Sequence, residues 1–102
     1  MTIEITAANF EQEVVKSPLP VLLDFWASRC VPCRMLSPLV EELSEEYAGR
    51  AKFGKVNVDE QPQLAQAYRI SAIPTLLVFR NGQPVGSTVG VVPRSEIEKL
   101  LG

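Results

Sequence analysis

Residues 21–27 read Val-Leu-Leu-Asp-Phe-Trp-Ala, apolar at every position but Asp24. Side chains along a strand alternate between two faces, so a run that is apolar on both must be covered on both. That condition belongs to a central strand with helices on each side of its sheet. After Ser28 and Arg29 comes Cys30-Val31-Pro32-Cys33. From about Cys33 to about Tyr47, Leu36, Leu39, Val40, Leu43 and Tyr47 recur at helical spacing, with Glu41, Glu42, Glu45 and Glu46 opposite. Gly49 ends this helix, and Pro38 inside it is expected to kink it.

The chain has only these two cysteines. Two cysteines so spaced, at a strand-to-helix junction, read as a redox dithiol. Residues three apart in a first helical turn share a face, with Cα atoms about 5–6 Å apart, the span of a disulfide. Pro32 falls where helix N–H groups have no intrahelical partner, so its missing N–H does little harm. The remaining free N–H groups and the positive end of the helix dipole face Cys30 and favour its thiolate. Cys30 is then the attacking sulfur. Cys33, one turn in and more buried, resolves the mixed disulfide. Two other uses of the pair compete. A structural zinc site usually takes about four Cys or His ligands, and this chain has two cysteines and no histidine. A static disulfide closing so small a loop would constrain the unfolded chain only slightly.

The rest of the chain predicts the elements around this junction. Ile3 and Ile5 alternate with polar neighbours over a short strand, residues 3–6. Asn9-Phe10-Glu11-Gln12 resembles a capping box that opens a helix to about Lys16, stopped by Pro18 and Pro20. Lys52 to Val58 reads as a strand. Asp59 then caps a short helix with Pro62 in its first turn and Leu64, Ala65 and Tyr68 on its apolar side. Thr75 to Phe79 is a strand, Asn81-Gly82 a hairpin turn, and Val85 to Val89 the returning strand. Pro93 opens a last helix packed through Ile97, Leu100 and Leu101. The order predicts an α/β fold, a central mixed sheet of about five strands with helices on both faces.

A chain of 102 residues is expected to form one domain over its whole length. The net charge is −2 with scattered basic residues, so no basic stripe suggests nucleic acid. No apolar run approaches a membrane span. Met1-Thr2-Ile3-Glu4-Ile5 lacks the positive start and apolar core of a signal peptide. The expected location is therefore the cytosol, where disulfides are transient and catalytic rather than structural. Without histidine, any titration near neutrality must come from a perturbed cysteine, a perturbed carboxyl or the N-terminal amine.

In this order and at these spacings, the motifs resemble the thioredoxin family over nearly the whole chain. Asp24-Phe25-Trp26-Ala27 followed by Cys30-Val31-Pro32-Cys33 resembles the family's active-site block. Lys55-Val56-Asn57-Val58-Asp59 resembles its third-strand block, and Ile73-Pro74-Thr75 its cis-proline motif; Phe79-Arg80-Asn81-Gly82 and Gly90 also fit. The resemblance implies a thioredoxin-like fold and a small dithiol–disulfide oxidoreductase that reduces protein disulfides. It implies no bound cofactor, recharging by thioredoxin reductase or an equivalent electron donor, and action as a monomer without nucleic acid or membrane. Three residues depart from the family pattern. Arg29 stands where Trp is usual, Val31 where Gly is usual, and Arg34 where Lys is usual. Arg34 keeps the charge. Arg29 and Val31 adjoin the attacking sulfur and bear on partner choice and redox potential.

Asp24 interrupts the apolar strand just before the motif. An unpaired buried carboxylate is costly, so it is expected to titrate high. Its functional reading is a proton acceptor for Cys33, which must become a thiolate to resolve the mixed disulfide; the resemblance implies the same, through a water. Its plainer reading is a partly solvated strand-end residue. Lys55 is a candidate modulator of Asp24, or an ordinary surface lysine. The resemblance implies a cis Ile73–Pro74 bond with Pro74 packed against the dithiol, where the plainer reading is a strand-start proline. The backbone of Ile73 could then pair with an extended substrate segment. Val31, Pro32, Ile73, Gly90 and Val91 would form a small apolar docking face. Trp26, the only tryptophan, is implied to shield the disulfide, and also reads as a plain core aromatic. Two further readings stand beside the reductase. One is the same fold poised as an oxidant or isomerase, toward which Arg29 would push by stabilising the Cys30 thiolate. The other is a non-catalytic interaction module, against which the intact dithiol, Asp24 and Pro74 argue.

Overall fold

The computed structural model describes residues 1–102. Its strands are β1 (Ile3–Glu4), β2 (Val21–Trp26), β3 (Lys52–Asn57), β4 (Thr75–Arg80) and β5 (Gln83–Val89). They form one sheet in the order β1-β3-β2-β4-β5. β3 runs parallel to β1 and β2, whereas β4 is antiparallel to both β2 and β5. The helices are α1 (Val31–Glu46), α2 (Pro62–Ala67) and α3 (Arg94–Leu101), with a π-helical turn at Glu11–Val15. The architecture is the expected mixed sheet with helices on both faces.

β2 lies in the middle of the sheet, and its two apolar faces feed two separate clusters. Leu22 joins Phe53, Leu76 and Val78 against Leu36, Val40 and Leu43 of α1 and Ile97 and Leu101 of α3. Val21, Leu23 and Phe25 point the other way, to Ile5, Val14, Val56 and Phe79, with Leu64 and Tyr68 packed on them. Each such side chain contributes roughly 1.5–3 kcal/mol on burial. Asp24 shares the α1 face with Leu22 because it is two residues along the strand.

Some boundaries differ from expectation for local reasons. β1 is only two residues long, although the Ile5 N–H still donates to the Lys55 carbonyl at 2.8 Å. Asn9 is not a helix cap. Its Oδ1 accepts the N–H of Thr6 at 2.8 Å and its Nδ2 donates to the Glu4 carbonyl at 2.9 Å, so the side chain turns backwards along the chain. The following turn closes with a π-type bond, Lys16 N–H to the Glu11 carbonyl at 3.0 Å. Asp59 does not cap α2 either; Gln61 precedes that helix, without a side-chain cap bond. α1 begins at Val31 because Cys30 is its cap. At the hairpin, Asn81 and Gly82 have φ of 54° and 78°, the left-handed pair that a type I′ turn requires. β5 starts at Gln83, and a register shift between Val78 and Phe79 accommodates Pro84, which has no N–H to give the ladder.

Candidate active site

Three chain segments converge at one end of the sheet: the start of α1, the start of β4 and the end of β5. Cys30 caps α1 with an extended backbone, φ −95° and ψ 109°. Its Sγ accepts the N–H of Cys33 at 3.2 Å. A sulfur thus occupies the place where a Ser or Asp oxygen commonly caps a helix. It sits at the positive end of the helix dipole. Pro32 lies in the first turn. Cys30 and Cys33 form a disulfide with Cα atoms 5.3 Å apart. Cys30 is 8% exposed and Cys33 3%, so the first cysteine is only slightly the more open. Both belong to a small cluster with Ala27, against which Trp26, Val58 and Ile73 pack.

The second wall is built around Pro74. The Ile73–Pro74 bond is cis, and the Ile73 carbonyl oxygen lies 3.8 Å from Cys30 Sγ. The Thr75 hydroxyl donates to the Ala72 carbonyl at 2.6 Å, and the Gly90 N–H donates to the Pro74 carbonyl at 2.8 Å. The latter bond ties the end of β5 to the buried proline. Gly90 has φ of +86°, a backbone that favours glycine. Val31 and Val91 are exposed, at 56% and 50%, Pro32 is exposed, and Ile73 is half-buried. A cleft of about 210 Å³ opens beside Ile73, lined also by Arg29, Val58, Ile70, Ser71 and Ala72.

Asp24 is fully buried, and no other protein group hydrogen-bonds either of its carboxylate oxygens. Burial pushes its pKa up to about 6, against a weaker downward pull from the Lys55 ammonium. Lys55 is the register partner of Asp24 on β3. Its Nζ does not bond the carboxylate. It donates instead to Ser37 Oγ at 2.9 Å and lies 4.8 Å from the centroid of the Trp26 ring.

Two parts of the site were not read from the sequence. Ser37 carried one available signal, its position four residues after Cys33 on the same helix face. The other is the partner of Arg29, whose guanidinium pairs with exposed Asp59 at 3.3 Å. The charge beside Cys30 is therefore shared with a carboxylate thirty residues away, and no spacing rule links the two. Arg34 donates to the Ser28 carbonyl at 3.4 Å.

The thioredoxin family model matches residues 1–102. Thioredoxin 1 of a Nostoc species is 48% identical over 98 residues, covering 96% of this chain and 92% of its own. The thioredoxin of Porphyra purpurea is 47% identical over 98 residues with the same coverage. That of Allochromatium vinosum is 44% identical over 99 residues, covering 97% of this chain and 92% of its own.

Proposed function

The chain belongs to the thioredoxin family and is a dithiol–disulfide oxidoreductase, and from that premise we propose that it works as a reductase of protein disulfides, with Cys30 attacking and Cys33 resolving. The observation that carries this reading is the Cys33 N–H donating to Cys30 Sγ at the cap of α1. The same donor and dipole stabilise a thiolate at Cys30 once the disulfide is opened.

In the first step the Cys30 thiolate attacks one sulfur of the substrate disulfide. A Cys30–substrate bond forms, the substrate S–S bond breaks, and the second substrate sulfur leaves as a thiolate. In the second step the Cys33 thiol gives its proton to the Asp24 carboxylate. The resulting thiolate attacks Cys30 Sγ, the Cys30–Cys33 bond forms, and the remaining substrate sulfur departs. Two electrons pass from the dithiol to the substrate; its two sulfurs leave as thiolates and take protons from solvent, to which Asp24 returns the proton it accepted from Cys33. A carboxyl that titrates at about 6 suits proton acceptance near neutrality. Lys55 tunes it, and Trp26 covers the disulfide. The partner segment docks on Val31, Pro32, Ile73, Gly90 and Val91, pairs with the backbone of Ile73, and meets Pro74 as the buried wall beside the sulfurs.

The electrons reside in the dithiol itself, so the cycle calls for no bound cofactor. It does call for an electron donor, thioredoxin reductase or an equivalent, which makes the protein a carrier in electron transport and cell redox homeostasis. We place it in the cytoplasm as a monomer, with residues 1–102 acting as one domain. No helix is long and apolar enough to cross a membrane. The case for an oxidant or isomerase rested on the Arg29 charge, and the pairing of Arg29 with Asp59 weakens it.

Insulin reduction tests the assignment. Cys30→Ser is expected to abolish turnover, and Cys33→Ser to attack once and accumulate mixed disulfide. Turnover by Cys33→Ser equal to the parent would refute the roles. A redox titration against glutathione tests the direction, with a potential more oxidising than the glutathione couple counting against a reductase.

A further inference from the structure

Ser37 is a polar residue one turn beyond Cys33, on the face of α1 that meets the sheet. Its hydroxyl receives the Lys55 ammonium at 2.9 Å. That ammonium also lies over the Trp26 ring at 4.8 Å, a cation–π arrangement. Lys55 has an alternative. Its register partner on β1 is Glu4, and both residues line one cleft of about 220 Å³ together with Thr2, Trp26 and Asn57. A lysine on a flexible four-carbon stem ordinarily turns toward a carboxylate or water. Here it turns inward to a neutral hydroxyl.

The consequence falls on Asp24. From β3 it faces Lys55, with Glu4 beyond on β1; from β4 its register partner is uncharged Leu76. On the face of α1 that meets the sheet stand Cys33, a thiol once the disulfide is reduced, and neutral Ser37. Lys55 is the one charged group that opposes the effect of burial on Asp24.

We propose that Ser37 is a positioning residue for the second half of the reaction: by anchoring Lys55 against Trp26, it keeps a positive charge on the Asp24 side of the strand pair while Cys33 gives up its proton. The proposal rests on the reading of Asp24 as the acceptor of that proton. Without the Ser37 hydroxyl, Lys55 is free to swing to Glu4 or to solvent. Asp24 is then left to burial alone, holds its proton to higher pH, and is less often available as a carboxylate at neutrality. Cys33 deprotonates more slowly, and mixed disulfides persist longer. The first attack by Cys30 does not involve this group.

The test uses the full chain and two readouts. The Asp24 carboxyl is titrated by carbon NMR in the reduced parent, S37A, S37T, K55M and the S37A/K55M double variant. In parallel, reduced protein is mixed with 5,5′-dithiobis(2-nitrobenzoate). Attack by Cys30 releases one thionitrobenzoate, and resolution by Cys33 releases a second. S37A removes only the hydroxyl and puts a stronger helix former in its place. It is expected to raise the Asp24 midpoint by about half a pH unit or more, and to move the pH profile of the second release by the same amount, leaving the first release unchanged. S37T restores the hydroxyl and should titrate like the parent. K55M should move the midpoint up, and adding S37A to it should move it no further. An unmoved midpoint in S37A overturns the proposal, as does a shift that S37A adds in full on top of K55M. A midpoint that moves while the second release does not refutes the proton-acceptor reading of Asp24, and the catalytic share of Ser37 falls with it.

Discussion

A carboxylate buried without a hydrogen bond from any other protein group is costly to the fold when charged, and Asp24 is in that position. Its pKa is about 6 in the fold against an ordinary value of 3.8. Between those two values the folded protein holds a proton that the unfolded chain has released. Stability therefore falls as pH rises from about 4 to about 6, then stays at the lower level. A shift of roughly two units corresponds to about 3 kcal/mol. Asp24→Asn keeps the shape and removes the charge, so it is expected to stabilise the protein at pH 7 by up to about 3 kcal/mol. The gain should disappear below about pH 4, where Asp24 is protonated in both states. Urea unfolding of parent and variant at both pH values checks this, because the other carboxylates cancel in the difference. An equal gain at both would remove the charge from the explanation. The same variant should slow resolution of the mixed disulfide. Val31 poses a different question at this scale. It is 56% exposed beside Cys30, and its branched side chain is stiff where a glycine would leave the backbone open. Val31→Gly is expected to speed reaction with a protein disulfide more than with a small aromatic disulfide. Equal acceleration of both, measured as second-order rates, would mean that Val31 acts on the sulfur rather than on the approach to it.

The elements that were legible in the sequence are those whose signal is carried by burial or by a backbone requirement. β2 needed cover on both faces and is the central strand. Asn81-Gly82 required positive φ at both residues and makes the hairpin turn. What differs from expectation is the caps of two helical segments that are themselves present, because a cap depends on which way a short polar side chain turns. Asn9 bonds back to Thr6 and Glu4 rather than forward into a helix, and Asp59 faces Arg29 rather than α2. At the site, Cys30 and Cys33 announced themselves by spacing and Asp24 by its apolar surroundings. Ser37 did not, because a serine in a helix acquires its role only when β3 brings Lys55 across from it. The docking of β1 follows the same rule of close approach. A Cβ on Gly54 would lie 2.6 Å from Ile5 Cγ1 and 2.9 Å from Leu23 Cδ2, and both side chains are fully packed. Gly54→Ala is therefore expected to overpack this cluster at a cost of about 1–3 kcal/mol. It should also speed amide exchange at Ile5, whose N–H bonds Lys55. Unchanged exchange and stability would show that the cluster has room that the packing denies.

Across the whole molecule, apolar contacts and ion pairs make rival claims to fastening the helices in place, and α3 allows them to be compared. Arg94 reaches from α3 to Glu42 and Glu46 of α1 at 3.0 and 2.8 Å, and to Glu98 on its own helix at 3.5 Å. One turn along, Ile97 is fully buried in the cluster that α3 shares with α1 and the sheet. Surface ion pairs gain little because water already solvates both partners, and ordering the side chains offsets part of what they gain. A buried isoleucine cut to alanine loses its transfer free energy and leaves a cavity, about 2–5 kcal/mol in all. Ile97→Ala is thus expected to lower stability by that amount whatever the salt. Arg94→Met should cost far less. Its effect should fade at about 1 M salt, where the screening length is about 3 Å. Neither residue touches the dithiol, so both variants should reduce disulfides at the parent rate under conditions where they remain folded. Urea unfolding at low and high salt, followed by a disulfide-reduction assay at 25 °C, decides the matter. If Arg94→Met proved as destabilising as Ile97→Ala, and its loss persisted at high salt, the charged cluster and not the apolar layer would be what fastens α3 to the fold.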